Sequence, residues 1–155
     1  MVRVFNSLLT QLEPSLQILR WDWHGSMTTS SFQAAFEKLL QYSRQQHVKR
    51  WLADVSHLPL VGTDEQAWLS ENWLPRFAAL QIREIALVLP VNLHNQLVVE
   101  SVLADGRRHI RAEIQFFSDV PAALDWLTAG NDDMVEQMEQ EWQHRLQTFQ
   151  LNKAG

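Results

Sequence analysis

The spacing of apolar residues predicts strands that alternate with helices along most of the chain. Residues 85–89 form an unbroken apolar run, with charge before it at Arg83 and Glu84 and a proline, Pro90, after it. Such a run predicts a strand covered on both faces, as in the parallel sheets of α/β domains. Further strands are predicted at 16–23 and 51–55. The predicted fold class is therefore α/β.

Between the strands predicted at 16–23 and 51–55, the apolar residues have the spacing of a helix. A cluster of hydroxyl side chains precedes it, and Thr29, Ser30 or Ser31 is predicted to cap a helix that runs to about residue 46. Two strand–helix units in succession imply right-handed crossovers and a shared parallel core. The apolar stripe of this helix contains Phe32, Ala35, Phe36, Leu39 and Leu40.

A tryptophan-rich helix is predicted at 65–80, between the second and third strands. Thr63 and Gln66 have the spacing of a capping box at its start. Pro75 lies deep inside the helix, where it removes a backbone hydrogen bond, so a kink or a break is expected there. Trp68 is predicted at the edge of a buried stripe that contains Leu69, Trp73, Phe77 and Leu80.

The rest of the chain continues the alternation. Residues 91–103 suit either a helix or a strand, and the helix is favoured. Alternating apolar and polar residues at 110–116 predict an edge strand with one solvated face. A short helix follows the polar cap at 118–121, and a last amphipathic helix begins at Asp132. The apolar stripe of this last helix contains Met134, Met138, Trp142, Leu146 and Phe149.

The last helix has two interpretations. It folds back over its own sheet, or it packs against a second copy of the chain and forms a homodimer with a self-complementary surface. The first interpretation is favoured. We therefore predict one domain at 1–130 and a C-terminal helix and tail at 131–155, packed on that domain or on a partner.

Composition narrows the class of protein. A chain of 155 residues is long enough for one domain with a sizeable core. A net charge of −5, with basic pairs only at 49–50 and 107–108, argues against a nucleic-acid partner. The lack of cysteine excludes disulfides and thiolate metal sites. With no apolar signal core and no segment near the roughly 20 apolar residues of a membrane span, a soluble cytoplasmic protein of bacterial type is expected.

Four segments together carry a resemblance to a known family. They are 73–80 (WLPRFAAL), 85–90 (IALVLP), 113–119 (EIQFFSD) and 122–127 (AALDWL). In this order, across about residues 16–127, they resemble the SpoIIAA-like proteins of the STAS/SEC14-like superfamily. The resemblance implies a mixed sheet of four or five strands flanked by helices, to which this chain adds a C-terminal amphipathic helix.

The resemblance also implies a function without catalysis. Related domains act as anti-sigma-factor antagonists, as regulatory modules of anion transporters or as lipid carriers, so a regulatory, protein-binding domain is expected. In the antagonists a serine or threonine after the third strand is phosphorylated. Thr63 is the nearest hydroxyl here, although the antagonists' aspartate followed by two serines and a glycine is absent. The expected partner surface contains Ser56, His57, Thr63, Asp64 and Trp68.

Two features of this surface have a plainer alternative. A phosphate on Thr63 would lie at the positive end of a helix and add negative charge, but an ordinary N-cap explains the same threonine and is favoured. Seven tryptophans suggest a groove or an interface, yet half-buried rings with solvated N–H groups are favoured.

The alternative function is a carrier of a lipid or other small apolar molecule, in a pocket formed by Trp73, Met134, Met138 and Trp142.

Polar side chains give little support for catalysis. Asp22 and His24 alternate along one strand and so share a face, which is the minimum for an imidazole oriented by a carboxylate. No motif places a nucleophile near them, and we predict no enzyme activity and no cofactor. No metal site is predicted either, because no pair among the six histidines has the three- or four-residue spacing of helical ligands. These histidines are His24, His47, His57, His94, His109 and His144.

Overall fold

A computed structural model describes residues 1–154, with the side chains of 1–150, as a six-stranded sheet with helices on both faces. The first half contains β1 (Val2–Phe5), β2 (Leu8–Glu13), β3 (Ile18–Trp23), α1 (Thr29–Gln45) and β4 (Arg50–Asp54). The next part contains α2 (Thr63–Trp68), a π-helical segment (Leu69–Trp73), α3 (Leu74–Phe77) and β5 (Glu84–Val88). The last part contains α4 (Leu93–Gly106), β6 (Glu113–Phe117), α5 (Val120–Leu127) and α6 (Asp132–Ala154).

The strands lie side by side in chain order, from β1 to β6. The pairs β1–β2 and β2–β3 are antiparallel, whereas β3 to β6 are parallel. A single α/β domain with a mixed sheet and flanking helices is therefore confirmed. The predicted count of four or five strands is wrong, because the N-terminal hairpin of β1 and β2 adds strands that the apolar pattern does not mark.

The sheet separates two apolar cores. Side chains alternate between the faces of a strand, so neighbours in β4 such as Trp51 and Leu52 belong to different cores. The helices α1 to α4 and the π-helical segment cover the face that carries Trp21, Trp51 and Leu87. The helices α5 and α6 cover the opposite face, where Leu52 packs with residues such as Met138.

The cap of α1 differs from the predicted one. Thr28, rather than any of the three hydroxyl residues after it, is the N-cap, because its side chain accepts a hydrogen bond from the Ser31 backbone N–H at 3.1 Å. Ser31 completes the capping box, since its hydroxyl lies 2.8 Å from the Thr28 backbone nitrogen. A serine three residues after the cap therefore replaces the usual Glu or Gln.

The tryptophan-rich helix changes its type just before Pro75, where the sequence predicts a kink or a break. A π-helical segment ends two residues before Pro75, and α3 follows it directly with this proline in its first turn. The predicted capping box of Thr63 is wrong: Gly62 is the N-cap, and no side chain bonds to the free amides there. Thr63 is already the first helical residue, and the Gln66 side chain instead donates a hydrogen bond to Ser101 at 3.0 Å.

The remaining predictions concern the C-terminal part. Residues 91–103 lie mostly in α4, which confirms the favoured helix, and β6 is an edge strand as predicted. The last helix, α6, packs on its own sheet, where Met138 and Trp142 are buried. Gln11 of β2 holds it there by donating to the Met138 carbonyl at 2.8 Å. Within the described residues, no helix combines the length and apolarity that crossing a membrane needs.

Candidate functional site

Polar side chains gather where the parallel strands β3 and β4 end. Asp22 and Asp54 are paired in register on neighbouring strands, and both are buried on the face that α5 and α6 cover. His24, Ser56 and His57 follow the two strand ends, and we call these five residues the aspartate–histidine cluster. In open α/β sheets, ligands bind beyond the carboxyl ends of the strands, so this position alone makes the cluster a candidate site.

Asp22 is the centre of the cluster, because its carboxylate contacts both imidazoles. Oδ2 lies 2.8 Å from Nε2 of His24, and Oδ1 lies 2.9 Å from Nδ1 of His57. The predicted shared face of Asp22 and His24 is thus confirmed. A carboxylate only accepts, so each imidazole donates from the nitrogen that faces Asp22.

The three side chains form a gradient from the interior to the solvent. The side chains of Asp22, His24 and His57 are 5%, 20% and 59% exposed. Burial lowers the pKa of His57, but its hydrogen bond to Asp22 and the charges of Asp22 and Asp54 outweigh burial and raise this pKa above its usual value. Because the His57 side chain is exposed and the Asp22 side chain is buried, a ligand can reach the imidazole of His57 but not the carboxylate of Asp22.

Asp54 is the second buried carboxylate of the cluster. Its Oδ1 accepts hydrogen bonds from the backbone N–H and the hydroxyl of Ser56. Burial and the neighbouring charge of Asp22 raise the pKa of Asp54, and the Ser56 hydrogen bonds offset only part of that increase. Two buried like charges on adjacent strands are costly, and such groups concentrate at functional sites.

The cluster does not have the geometry of a catalytic triad, although it contains Ser56, His57 and Asp22. The Ser56 hydroxyl donates to Asp54, and it lies 3.4 Å from Nδ1 of His57. That same Nδ1 atom contacts Asp22. A triad needs the two different ring nitrogens for the nucleophile and the carboxylate, so these contacts do not make Ser56 a nucleophile.

Exposed apolar side chains lie around the N-terminal turn of α4 and in the loop that follows His57 in the chain. The loop before α2 is tied to this turn by Asn95, whose amide donates to the carbonyls of Leu58 and Pro59 and accepts from the Val61 N–H. The exposed fractions of the four patch residues are 63%, 91%, 68% and 57% for Leu60, Val91, Leu93 and Leu97. We call these four residues the Leu60 patch.

The charges near the Leu60 patch have one sign. The segments 55–75 and 90–106 contain no lysine or arginine. Their acidic residues are Asp64, Glu65, Glu71, Glu100 and Asp105. An open groove between the π-helical segment and α4 contains two of them, Glu71 and Asp105. The surface is therefore apolar beside the cluster and negative along α2 and α4.

An apolar cavity lies on the other side of the sheet, beneath α4 and the π-helical segment. Its volume is about 110 Å³, and its walls include Trp21, Trp51 and Trp73. Asn95 is its one uncharged polar wall residue, and that side chain is already bonded to the loop. The cavity therefore offers shape and apolar contact without a hydrogen bond to orient a ligand.

The structure brings together only some of the predicted site residues. Ser56 and His57 belong to the aspartate–histidine cluster, and Thr63 and Asp64 are exposed at the start of α2. Trp68 is half-buried, with its ring 6.3 Å from that of Phe32.

The predicted ligand pocket does not exist as one site. Trp73 packs on the α1–α4 face, whereas Met134 and Met138 pack on the opposite face of the sheet. Trp142 is buried beneath α6, against Arg20. Five of the seven tryptophans are buried, which contradicts the expectation that most keep their N–H groups in water. The buried N–H groups of Trp23, Trp51 and Trp73 donate to protein oxygens instead.

Sequence reasoning missed Asp54 and the Leu60 patch. The register of β3 and β4 places Asp54 beside Asp22, and a single sequence does not reveal that register. The patch residues look like ordinary loop and helix apolar positions until the burial of their neighbours is known. One signal was present: Asp54 lies at the end of an apolar strand and Ser56 and His57 directly follow it, at the edge where α/β sheets bind ligands.

Comparisons with protein-family models, with curated proteins and with solved structures find no match to this chain. The resemblance to SpoIIAA-like proteins therefore stays a prediction. It depends on the four segments named above, most of which supply buried core residues. The proposals below consequently start from the geometry of this chain.

Proposed function

We propose that this protein is a regulatory domain without catalytic activity, which binds a protein partner through the Leu60 patch and the adjoining loop at 56–62. The observation that carries the proposal is the exposure of four large apolar side chains around one helix start. Contiguous exposed apolar surface marks interaction sites, whereas single exposed residues are ordinary. Ser56 and His57 of the predicted partner surface remain part of the proposed one, whereas Leu60 replaces Trp68 as its main apolar contact.

The charges of the surface describe the partner. The acidic residues of α2 and α4 have no lysine or arginine among them in segments 55–75 and 90–106. Complementary charge speeds association and excludes like-charged competitors. The expected partner segment therefore carries apolar residues that cover Leu60, Leu93 and Leu97, with lysine or arginine beside them.

The energy available from the patch fits a reversible, regulatory contact. Complete burial of one leucine or valine side chain contributes about 1.5–3 kcal/mol. Four such side chains would exceed the cost of association only when most of them are covered. Replacing two of them should therefore abolish most of the binding.

The test compares partner capture by the wild type and by a Leu60→Asp/Leu97→Asp double variant. Both substituted side chains are exposed, so the folded state is expected to be retained. A captured protein is then purified, and its Kd is measured for both forms. We expect the double variant to bind at least about tenfold more weakly, which is a loss of about 1.4 kcal/mol or more.

Phe116→Asp is the matched control, because it places the same charge on another exposed apolar side chain, on the edge strand β6. It should bind the partner like the wild type. A partner whose Kd is equal for the wild type and the double variant would remove the Leu60 patch from the account. Phosphorylation of Thr63 stays a separate prediction, and a phosphate there would add to the negative charge of the same surface.

A second function is favoured by the apolar cavity, namely the binding of a small apolar molecule. The cavity of about 110 Å³ is smaller than an engineered cavity of roughly 150 Å³ that binds benzene. The expected ligand is therefore ring-sized or smaller, and a whole lipid would need the helices α2 to α4 to move outward.

Native mass spectrometry followed by solvent extraction tests this second function. A reproducible adduct of small mass supports it, and the wall variant Val98→Phe should remove that adduct by filling the cavity. A protein that carries no adduct and whose Tm is unchanged by saturating benzene would rule out the cavity as a ligand site.

A further inference from the structure

We propose that Asp22, His24 and His57 bind a single transition-metal dication at the carboxyl ends of β3 and β4. This site goes beyond the proposed partner binding, and it concerns residues for which the sequence predicts no metal. The three ligand atoms that they offer lie within 4.8 Å of one another.

The spacing fits a common coordination sphere. Ligands about 2.0–2.2 Å from a metal ion in tetrahedral or octahedral arrangement are roughly 3–3.5 Å apart. The Asp22 oxygens lie 2.8 Å from Nε2 of His24 and 2.9 Å from Nδ1 of His57. Widening these contacts by about half an ångström would make room for the ion between the three groups.

The chemical type of the ligands selects the class of ion. Imidazole nitrogens suit Zn²⁺, Cu²⁺, Ni²⁺ and Fe²⁺, whereas Mg²⁺ and Ca²⁺ prefer all-oxygen sites. Two histidines and one carboxylate leave further coordination positions open to water or to another group. Because the side chain of His57 is 59% exposed, those positions face solvent rather than the core.

The charge around the site favours a cation. Asp22 and Asp54 are both buried on adjacent strands, within the same face of the sheet. Arg20, on the same face, is paired with Glu139 of α6, and its attraction to the two aspartates is weaker than its attraction to Glu139. A dication at the cluster would neutralise charge that is otherwise costly to bury.

The sequence also fixes the positions of the ligands. Asp22 and His24 are two residues apart on an extended chain, which places them on one face. Gly25, with φ at 125°, turns the chain directly after His24, in a backbone conformation that other residues rarely adopt. Hydrogen bonds from the two imidazoles, the one from His57 shared between both Asp22 oxygens, already hold Asp22, His24 and His57 together, so little ordering entropy remains for the metal to overcome.

A hydrogen-bonded cluster that only stabilises the loop at 55–58 is the competing explanation. It predicts no defined metal affinity and no dependence on both histidines together. The two explanations therefore differ in a direct binding measurement on the intact protein.

The experiment titrates the purified chain with Zn²⁺ by calorimetry, and with Co²⁺ by visible absorption. We expect one ion per chain, and a loss of affinity of more than about tenfold for both His57→Ala and His24→Ala. His109→Ala, at an exposed residue after α4, is the matched control and should bind like the wild type. In the wild type, ring nitrogen resonances of His24 and His57 should shift on addition of Zn²⁺, while that of His109 stays in place.

Two outcomes would overturn the proposal. One is the absence of saturable Zn²⁺ binding by the wild type at millimolar concentration. The other is binding that both histidine variants retain, since the ion would then occupy an adventitious surface site. The NMR measurement needs no substitution, so the test stays decisive even if His24→Ala does not fold. It is also independent of partner capture, because it uses the isolated chain.

Discussion

The guanidinium of Arg20 lies over the ring of Trp142, with its central carbon 3.8 Å from the ring centroid. Arg20 belongs to a central strand, β3, and Trp142 belongs to the last helix, α6. Arg20 is also ion-paired with Glu139, one turn earlier on the same helix. Cation–π contact and ion pairing thus fasten α6 to the middle of the sheet, on the face that carries the aspartate–histidine cluster.

Trp142→Ala should therefore destabilise the whole domain. The side chain is buried, and large-to-small changes of this kind cost about 3–5 kcal/mol. Chemical unfolding followed by circular dichroism gives the free energy of unfolding. Gln143→Ala, on the exposed side of the same helix, should change it by less than about 0.5 kcal/mol. Equal, small effects of the two substitutions would mean that α6 is not part of the folded core.

The Arg20–Glu139 pair gives an asymmetric prediction. Replacing a buried pair by apolar groups is often neutral or stabilising, whereas removing one partner leaves the other charge uncompensated. Glu139→Gln, which leaves Arg20 buried without its counter-charge, should cost about 1–3 kcal/mol, since Glu139 is partly exposed.

The double variant Arg20→Met/Glu139→Gln provides the comparison. It should recover most of the stability lost in Glu139→Gln, because methionine fills similar volume against Trp142 without a charge. Unfolding free energies of the wild type and both variants complete the test. A double variant less stable than Glu139→Gln would show that the guanidinium contributes more by stacking on Trp142 than its burial costs.

Substitution by alanine is expected to change the free energy of unfolding differently at two threonines near helix starts. Thr28 caps α1 through its hydroxyl, so Thr28→Ala should lower the free energy of unfolding by about 1 kcal/mol. Thr63 has no capping bond at the start of α2, so Thr63→Ala should change it by less than about 0.5 kcal/mol. Parallel urea titrations compare the two. A larger loss for Thr63→Ala would restore the capping box that the sequence predicts there.

The elements with strong local signals were predictable from the sequence. The unbroken apolar run identifies β5 as a strand, and the spacing of its apolar stripe identifies α1 as a helix. Both signals are strong because both elements bury many apolar side chains. Pro75 marked the place where the tryptophan-rich helix becomes irregular, because proline lacks the backbone N–H of a regular helix. The hairpin of β1 and β2 was missed because β2 buries Thr10 and Gln11, so its apolar pattern is interrupted.

The candidate site was less predictable, since it depends on long-range register. Asp22 and His24 are neighbours in sequence, and their shared face follows from strand geometry. His57 joins them only because β3 and β4 pair with Asp22 opposite Asp54. Which side of the sheet each tryptophan faces depends on the same register, so the predicted pocket combined Trp73 with residues of the opposite face.

Site-specific photo-crosslinking tests the central claim, that the Leu60 patch docks a protein partner, most directly. Benzoylphenylalanine takes the place of Leu60, Leu93 or, as the control, Phe116, and the chain is irradiated in its native cell extract. The account predicts one protein crosslinked from positions 60 and 93 and not from 116, through a segment that contains apolar and basic residues. Crosslinks that are absent from positions 60 and 93, or equally strong from 116, would contradict it.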